Sequence, residues 1–228
     1  MKDSYEVLLT SNMNMEQDEI KPEAVLDLFQ TVGGKNAELY NVSMASLKER
    51  GLCWVLNRIK YQRIDKIKKE TIVKINTWPN PKKLVEYLRQ FEIYNEEGNL
   101  AYIGSTIWLI IDLNNHKIIR NGFDFGDQND PIFFDIKRIK LDENKFQEIA
   151  KYRVGINDID HLGHMNNTKY ARMLYEVYPT IYQELQIDYL KEIKKDDVVT
   201  LKQYQENDDI YIAGYVDNII HFMAKIKL

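Results

Sequence analysis

The chain reads twice through one order of elements: a short strand, a polar loop, a helix, then four strands. In the first pass residues 5–10 alternate as a strand, and residues 22–40 carry a helical pattern. Pro22 suits the first turn of that helix, and Val25, Leu28, Phe29, Val32 and Leu39 recur near helical period, although Gly33-Gly34 weakens its middle. Strand-like runs follow at 52–64, 71–78, 83–94 and 100–113, with a turn at 95–99 between the last two. The second pass begins with a strand at 150–154, crosses a His-rich loop and enters a helix at 167–184. Tyr170, Leu174, Val177 and Ile181 share one face of that helix. Strands follow at 186–192, 197–205, 210–216 and 219–226, the last two joined by the tight-turn pair Asp217-Asn218.

An amphipathic helix beside antiparallel strands needs a surface for its apolar stripe, and a sheet curling around the helix supplies it. The order therefore predicts an α+β chain with two similar halves. Residues 1–113 form the first module and 144–228 the second. The connecting segment, 114–143, is rich in turn formers: Asn114-Asn115, Asn121-Gly122, Gly126-Asp127 and Asn129-Asp130-Pro131.

Composition narrows the function. In 228 residues the hydrophobic fraction is 44%, enough for a packed core. No apolar run approaches the roughly 20 residues of a membrane span, and the N-terminus lacks the apolar core of a signal peptide. Cys53 is the one cysteine, which excludes an internal disulfide and a multi-thiolate zinc site and fits a reducing cytoplasm. A net charge of −4 makes nucleic acid a poor partner. Lys60, Arg63, Lys66, Lys68 and Lys69 nevertheless cluster, and Lys82, Lys83 and Arg89 follow. The cluster is open to two readings, a solvated surface or a docking patch for an acidic protein.

The densest chemistry lies at Asn157-Asp158-Ile159-Asp160-His161-Leu162-Gly163-His164-Met165-Asn166-Asn167, immediately before the second helix. Unpaired N–H groups at a helix start can face a developing negative charge, which points to hydrolytic acyl chemistry. Asp160 is placed to orient or charge-stabilise His164. Asn166 and Asn167 fit either capping or catalysis. His161-x-x-His164 with Asp158 or Asp160 would be an incomplete metal site, and no metal is expected. Cys53 sits in an apolar strand and reads as a small buried hydrophobe rather than a nucleophile. His116 and His221 read as ordinary surface histidines. Glu192 ends an apolar strand, and from the residues alone it reads as an exposed strand-end charge.

Over nearly its whole length the chain resembles the acyl-acyl carrier protein (acyl-ACP) thioesterases. Asp158-Ile159-Asp160 through Asn166-Asn167-Thr168-Lys169-Tyr170 is similar to that family's D-x-D-x-N-x-H-x-N-N-x-K-Y loop. Trp54-Val55-Leu56-Asn57-Arg58, Thr77-Trp78 and Ser105-Thr106-Ile107-Trp108 look like its W-V-x-x-R, T-W and S-x-W strands, in the same order. The resemblance implies a double hotdog, two modules each with a long helix wrapped by an antiparallel sheet. It puts the catalytic groups in the second module and much of the acyl pocket in the first.

Carried over by position, the resemblance implies Asp160, His164 and Glu192 as catalytic groups, with Asn166 and Asn167 beside them. Glu192, helped by His164, would activate water, Asp160 would orient or electrostatically support the loop, and N–H groups starting the second helix would hold the oxyanion. Two positions depart from the family: Leu162 replaces its loop asparagine, and Ile193 replaces the cysteine after its glutamate. The packing of Met44, Trp54 and Trp108 would set pocket depth. The implied activity is hydrolysis of fatty acyl-ACP to free acid and holo carrier protein, terminating fatty-acid synthesis, without cofactor. The acidic carrier would dock on the Lys60–Lys69 cluster. The alternatives are an acyl-CoA thioesterase on the same fold and a non-catalytic acyl-binding or sensing hotdog module. Either a monomer or a homodimer is compatible with the sequence.

Overall fold

The computed structural model describes residues 2–13, 19–68, 70–125 and 130–228. Its strands are β1 (Asp3–Leu8), β2 (Leu52–Arg63), β3 (Ile72–Pro79), β4 (Tyr87–Tyr94), β5 (Leu100–Asp112), β6 (Gln147–Arg153), β7 (Glu184–Tyr189), β8 (Val198–Glu206), β9 (Asp209–Val216) and β10 (Ile219–Lys227). Its helices are α1 (Pro22–Leu39), α2 (Met44–Glu49) and α3 (Asn167–Val177). All strands join one antiparallel sheet of ten, in the order β1-β3-β4-β5-β2-β7-β10-β9-β8-β6. The order reads the same from either edge once β6–β10 are matched to β1–β5. The β2–β7 pair, with Arg58 opposite Asp188 and Gln62 opposite Glu184, makes the two halves one surface.

Several boundaries differ from the sequence reading, for local physical reasons. The second helix ends at Val177, not near 184, because Pro179 cannot continue the helix and pushes Tyr178 out of the α region. Ile181 therefore lies beyond the helix, and the buried Tyr182 donates its hydroxyl to the Tyr178 carbonyl. The strand placed at 83–94 starts at Tyr87, because Leu84 takes a positive φ of 58° in an exposed turn. The strand placed at 186–192 runs from Glu184 to Tyr189, which leaves Glu192 on the following loop. α1 runs unbroken through Gly33-Gly34. Asp217 and Asn218, with φ of 49° and 63°, make the expected two-residue turn between β9 and β10.

One apolar core runs through both halves, from Val25, Phe29 and Phe91 in the first to Leu174, Ile212 and Phe222 in the second. α1 and α3 touch each other on the helix side of the sheet, where Lys169 pairs with Glu23. Glycine makes close packing possible at two sites. A Cβ on Gly104 would sit 2.2 Å from the Phe29 ring, and one on Gly214 would sit 1.9 Å from Phe222.

The segment after β5 crosses the other sheet face as a strap. Trp78 Nε1 donates to the Pro131 carbonyl (3.1 Å), Phe133 N–H to Gln90 Oε1 (3.2 Å) and Arg58 to the Ile136 carbonyl (3.1 Å). Farther on, Ile139 N–H donates to Asp188 (2.8 Å) and Asp142 N–H to Tyr204 (3.3 Å). These contacts step from β3 through β4, β2 and β7 to β8, so the strap carries the chain to the far edge, where β6 begins. No helix among the described residues is long and apolar enough to cross a membrane.

Candidate active site

The loop between β6 and α3 is folded by its own carboxylates. Buried Asp158 accepts from Gly155 N–H (2.8 Å) and from the Tyr152 hydroxyl (3.0 Å). Asp160 accepts from the N–H groups of Leu162 (2.8 Å) and His164 (3.3 Å), while its own N–H donates to the His164 carbonyl (2.8 Å). Gly163, at a φ of +87°, permits the tight reversal between them. Asn166 is the N-cap of α3, accepting from Thr168 N–H at 3.0 Å. Thr168 also hydrogen-bonds Asp27 of α1, whose carboxyl is pushed up chiefly by burial.

His164 and Glu192 meet across two loops. Imidazole Nε2 lies 2.9 Å from Glu192 Oε2, and the side chains remain 31% and 60% exposed, so bulk water reaches the pair. The loop after β7 is pinned against the first by Met165 N–H, which donates to the Ile193 carbonyl (2.8 Å), and by a bridge between His164 and Lys194. Lys194 N–H in turn donates to Asp197 at 2.8 Å. His221 of β10 lies with Nδ1 2.9 Å from the Glu192 carbonyl. A carbonyl only accepts, so this imidazole donates and holds the backbone that carries Glu192. The sequence reading treated His221 as a surface residue. The sequence holds no local signal for the contact, because the β10–β7 register creates it.

Of the two roles the sequence allowed Asp160, orienting the imidazole or supporting the loop, its bonds serve the loop. Its carboxylate is spent on backbone N–H groups, and the group facing the His164 ring is Glu192. Cys53 lies buried on β2 with its thiol 3.6 Å from Met44 Sδ. Burial, then the charges of Asp160 and Glu192, push that thiol up and disfavour a thiolate. Among the described residues no group of His, Cys, Asp and Glu is arranged to hold a metal ion.

A cavity of about 310 Å³ opens beside this loop. α1 covers it with Phe29, Gly33, Gly34 and Ala37, and the sheet beneath offers Trp54, Trp108, Tyr87, Arg89 and Phe91. Phe125 closes another side, and Asp160, His161, Leu162, Asn166 and Asn167 form the loop side. The glycine pair that weakens α1 on paper thus gives the cavity room. Trp54 and Trp108 have their indole N–H groups satisfied, by the Val42 carbonyl (2.8 Å) and Thr106 (2.9 Å), and pack edge to face. Their rings serve as apolar wall. His164 and Glu192 stand next to this lining, not within it. Leu162 puts an apolar side chain where the family resemblance led to a carboxamide.

The basic cluster is not at the cavity. Trp54 and Arg63 lie near opposite ends of β2, about 30 Å apart at strand rise. Lys60 pairs with Glu184 (2.9 Å), Arg63 with Glu19 (2.5 Å), and Lys68 with Glu96 and Glu97 (3.1 and 2.8 Å). Lys66 is exposed, and Lys69 lies outside the described residues. Lys191, Lys194 and Lys195 are exposed on the loop that bears Glu192.

Comparison with known proteins finds family matches over both halves of the chain. Residues 1–125 match the family described as acyl-ACP thioesterase N-terminal domain, and residues 141–225 match acyl-ACP thioesterase C-terminal domain. No curated protein sequence matches the chain. Among solved structures, an acyl-ACP thioesterase from Bacteroides thetaiotaomicron superposes with a TM-score of 0.89 at 18% identity, over 99% of this chain and 97% of that one. A 12:0-ACP thioesterase from Umbellularia californica gives 0.80 at 14%, over 99% and 96%. A putative oleoyl thioesterase from Lactobacillus plantarum gives 0.78 at 15%, over 100% and 95%. The expected fold, a double hotdog, is the one observed.

Proposed function

The chain belongs to the acyl-ACP thioesterase family, and from that premise we propose that His164 and Glu192 activate the water that cleaves its substrate. The enzyme is a thioester hydrolase acting on fatty acyl-ACP. The acyl chain lies in the cavity between α1 and the sheet, with the thioester carbonyl at the start of α3. Glu192, in contact with His164, takes a proton from water as the oxygen attacks the carbonyl carbon. The Asn167 N–H, ahead of the first-turn donors that Asn166 already takes, serves the resulting oxyanion. The C–S bond then breaks, the acid leaves with the new oxygen, and the proton passes to the departing thiolate. Asp160 braces the loop through its backbone bonds. Asn166 caps the helix, and Asn167 lines the path to the carbonyl.

In this reading residues 1–113 supply the acyl pocket, 114–143 connect, and 144–228 supply the reacting loop. The reaction releases free fatty acid in the cytoplasm and terminates fatty-acid synthesis, and the single free, buried Cys53 suits that compartment. One chain carries both cavity and loop, so a monomer holds a complete site and a homodimer would carry two.

The observation that carries the proposal is the solvent-reached 2.9 Å contact between His164 and Glu192 beside a helix start and an apolar cavity. Hydrolysis of acyl-ACP and acyl-CoA of matched chain length tests it. The proposal expects faster release from the carrier protein. Equal or greater release from CoA would make it an acyl-CoA thioesterase, and binding without release would make it an acyl-binding module.

A further inference from the structure

Besides Asp160 on the loop side, a second charged group lines the acyl cavity, and the mechanism above does not use it. Arg89 sits on β4, only 9% exposed, on the same strand face as Tyr87 and Phe91. Its stem runs beneath Gly33 of α1, where a Cβ would meet Arg89 Cδ at 3.4 Å. Nη1 donates to Asn36 of α1 and to Thr77 Oγ1 (3.3 Å). No acceptor among the described residues bonds its Nε or Nη2, and no described carboxylate forms an ion pair with it. The neighbouring Asp3 carboxylate accepts instead from Asn36 Nδ2 (2.7 Å). Burial pushes the guanidinium down to about 10, against the opposing pull of Tyr40, Tyr5 and Asp3, so it is still charged at neutral pH.

The position of Arg89 along the cavity is set by strand order. β2, β5, β4 and β3 are consecutive in the sheet, and the cavity is lined by Trp54, Trp108, Arg89 and Pro79 in that sequence. At about 4.8 Å per strand, Arg89 stands roughly 10 Å across the sheet from Trp54, and by register four residues along it, on the side away from β7 and the second module. An acyl chain whose thioester sits at the α3 start extends toward it. A methyl end placed there would shield a cation from water without pairing it, which is unfavourable. An oxygen there would take the unused donors as charge-assisted hydrogen bonds.

We propose that Arg89 makes the inner end of this cavity a recognition site for an oxygen on the acyl tail, a carboxylate foremost and a hydroxyl more weakly. The inference rests on the reading above only for the direction in which the chain enters. It makes Arg89 a specificity-determining residue, and the preferred substrates are acyl thioesters oxygenated at the end remote from the thioester.

Binding of non-hydrolysable N-methyl amides of matched length, ending in methyl, hydroxyl or carboxylate, tests this by fluorescence of Trp54 and Trp108. The wild type should bind the carboxylate-tailed amide roughly tenfold or more tighter than the methyl-tailed one, as expected for one charge-assisted bond. Arg89→Met should reverse that order, and Arg89→Lys should keep part of it. Asn36→Ala, which removes a brace but leaves the cation, should keep the carboxylate preference. Should Arg89→Met fail to fold, the wild-type order and the Lys variant still decide. Equal or tighter wild-type binding of the methyl-tailed amide would overturn the proposal. So would an equal loss for all tails in Arg89→Met, because Arg89 would then only brace α1. No turnover enters the measurement, so failure of the hydrolytic reading would appear separately, as intact binding without hydrolysis.

Discussion

Glu192 has no feature in its own neighbourhood that marks it for chemistry. It becomes a partner for His164 because the loop after β7 is pinned backbone to backbone against the loop before α3. That pairing is long-range, so the residues alone leave Glu192 as a strand-end charge, and only family resemblance singles it out. His221 is a stronger case, since neither pattern nor resemblance pointed to it. The compact loop before α3 was readable, because its Asp, Gly and Asn residues build the turn through bonds two to four positions apart. Asp160 shows the limit of that reading: the spacing placed a carboxylate near an imidazole but did not say that backbone N–H groups would claim it. For the site we expect His164→Ala and Glu192→Ala each to lower kcat by roughly 10²–10⁴-fold, as for general acid–base groups. Cys53→Ala should leave kcat nearly unchanged, since its thiol is buried against Met44 and burial disfavours a thiolate. Steady-state kinetics on variants with unchanged circular dichroism would check this, and an inactive but folded Cys53→Ala would contradict it.

Among the elements, hydrophobic period found every strand and both long helices, while boundaries followed chemistry that period does not weigh. Pro179 ends α3 early, and its signal was in the sequence. The turn through Leu84 was not, because a leucine at positive φ is imposed by tertiary packing and not preferred locally. Gly104 carries a sharper expectation. With Phe29 of α1 pressed onto it, Gly104→Ala must shift the helix or the ring. Overpacking of this kind costs about 1–3 kcal/mol, and urea unfolding should show a lower midpoint at unchanged slope. Asn166→Ala should cost about 1 kcal/mol through the lost N-cap. It should also lower kcat if, as proposed, the oxyanion forms at the α3 start.

For the whole molecule, the repeated order gave two similar halves but not their fusion into a single sheet of ten. Fusion depends on β2 meeting β7, and neither strand advertises its partner. With a shared sheet and a continuous core, the halves should unfold together. Circular dichroism and tryptophan fluorescence should trace coincident transitions, and two separated transitions would contradict that. Placement also changes what is expected of the charges. Lys60, Arg63 and Lys68 are ion-paired and stand toward the far end of β2 from the cavity, whereas Lys191 and Lys194 flank Glu192. Charge reversal at Lys191 and Lys194 should therefore raise KM for acyl-ACP and weaken its salt dependence, with a smaller effect on acyl-CoA. The same reversal at Lys60 and Lys68 should do little. Kinetics over a range of salt would distinguish the two faces.

The central claim is that His164 and Glu192 deliver water directly to the thioester, with no acyl-enzyme between. Single-turnover hydrolysis of acyl-ACP in ¹⁸O-water, followed by mass spectrometry of both acid and protein, tests this most directly. The account predicts ¹⁸O in the released carboxyl and none in the recovered protein, with no acylated peptide on rapid quench. Label in the Glu192 carboxyl, or an acyl group trapped on any side chain, would contradict it.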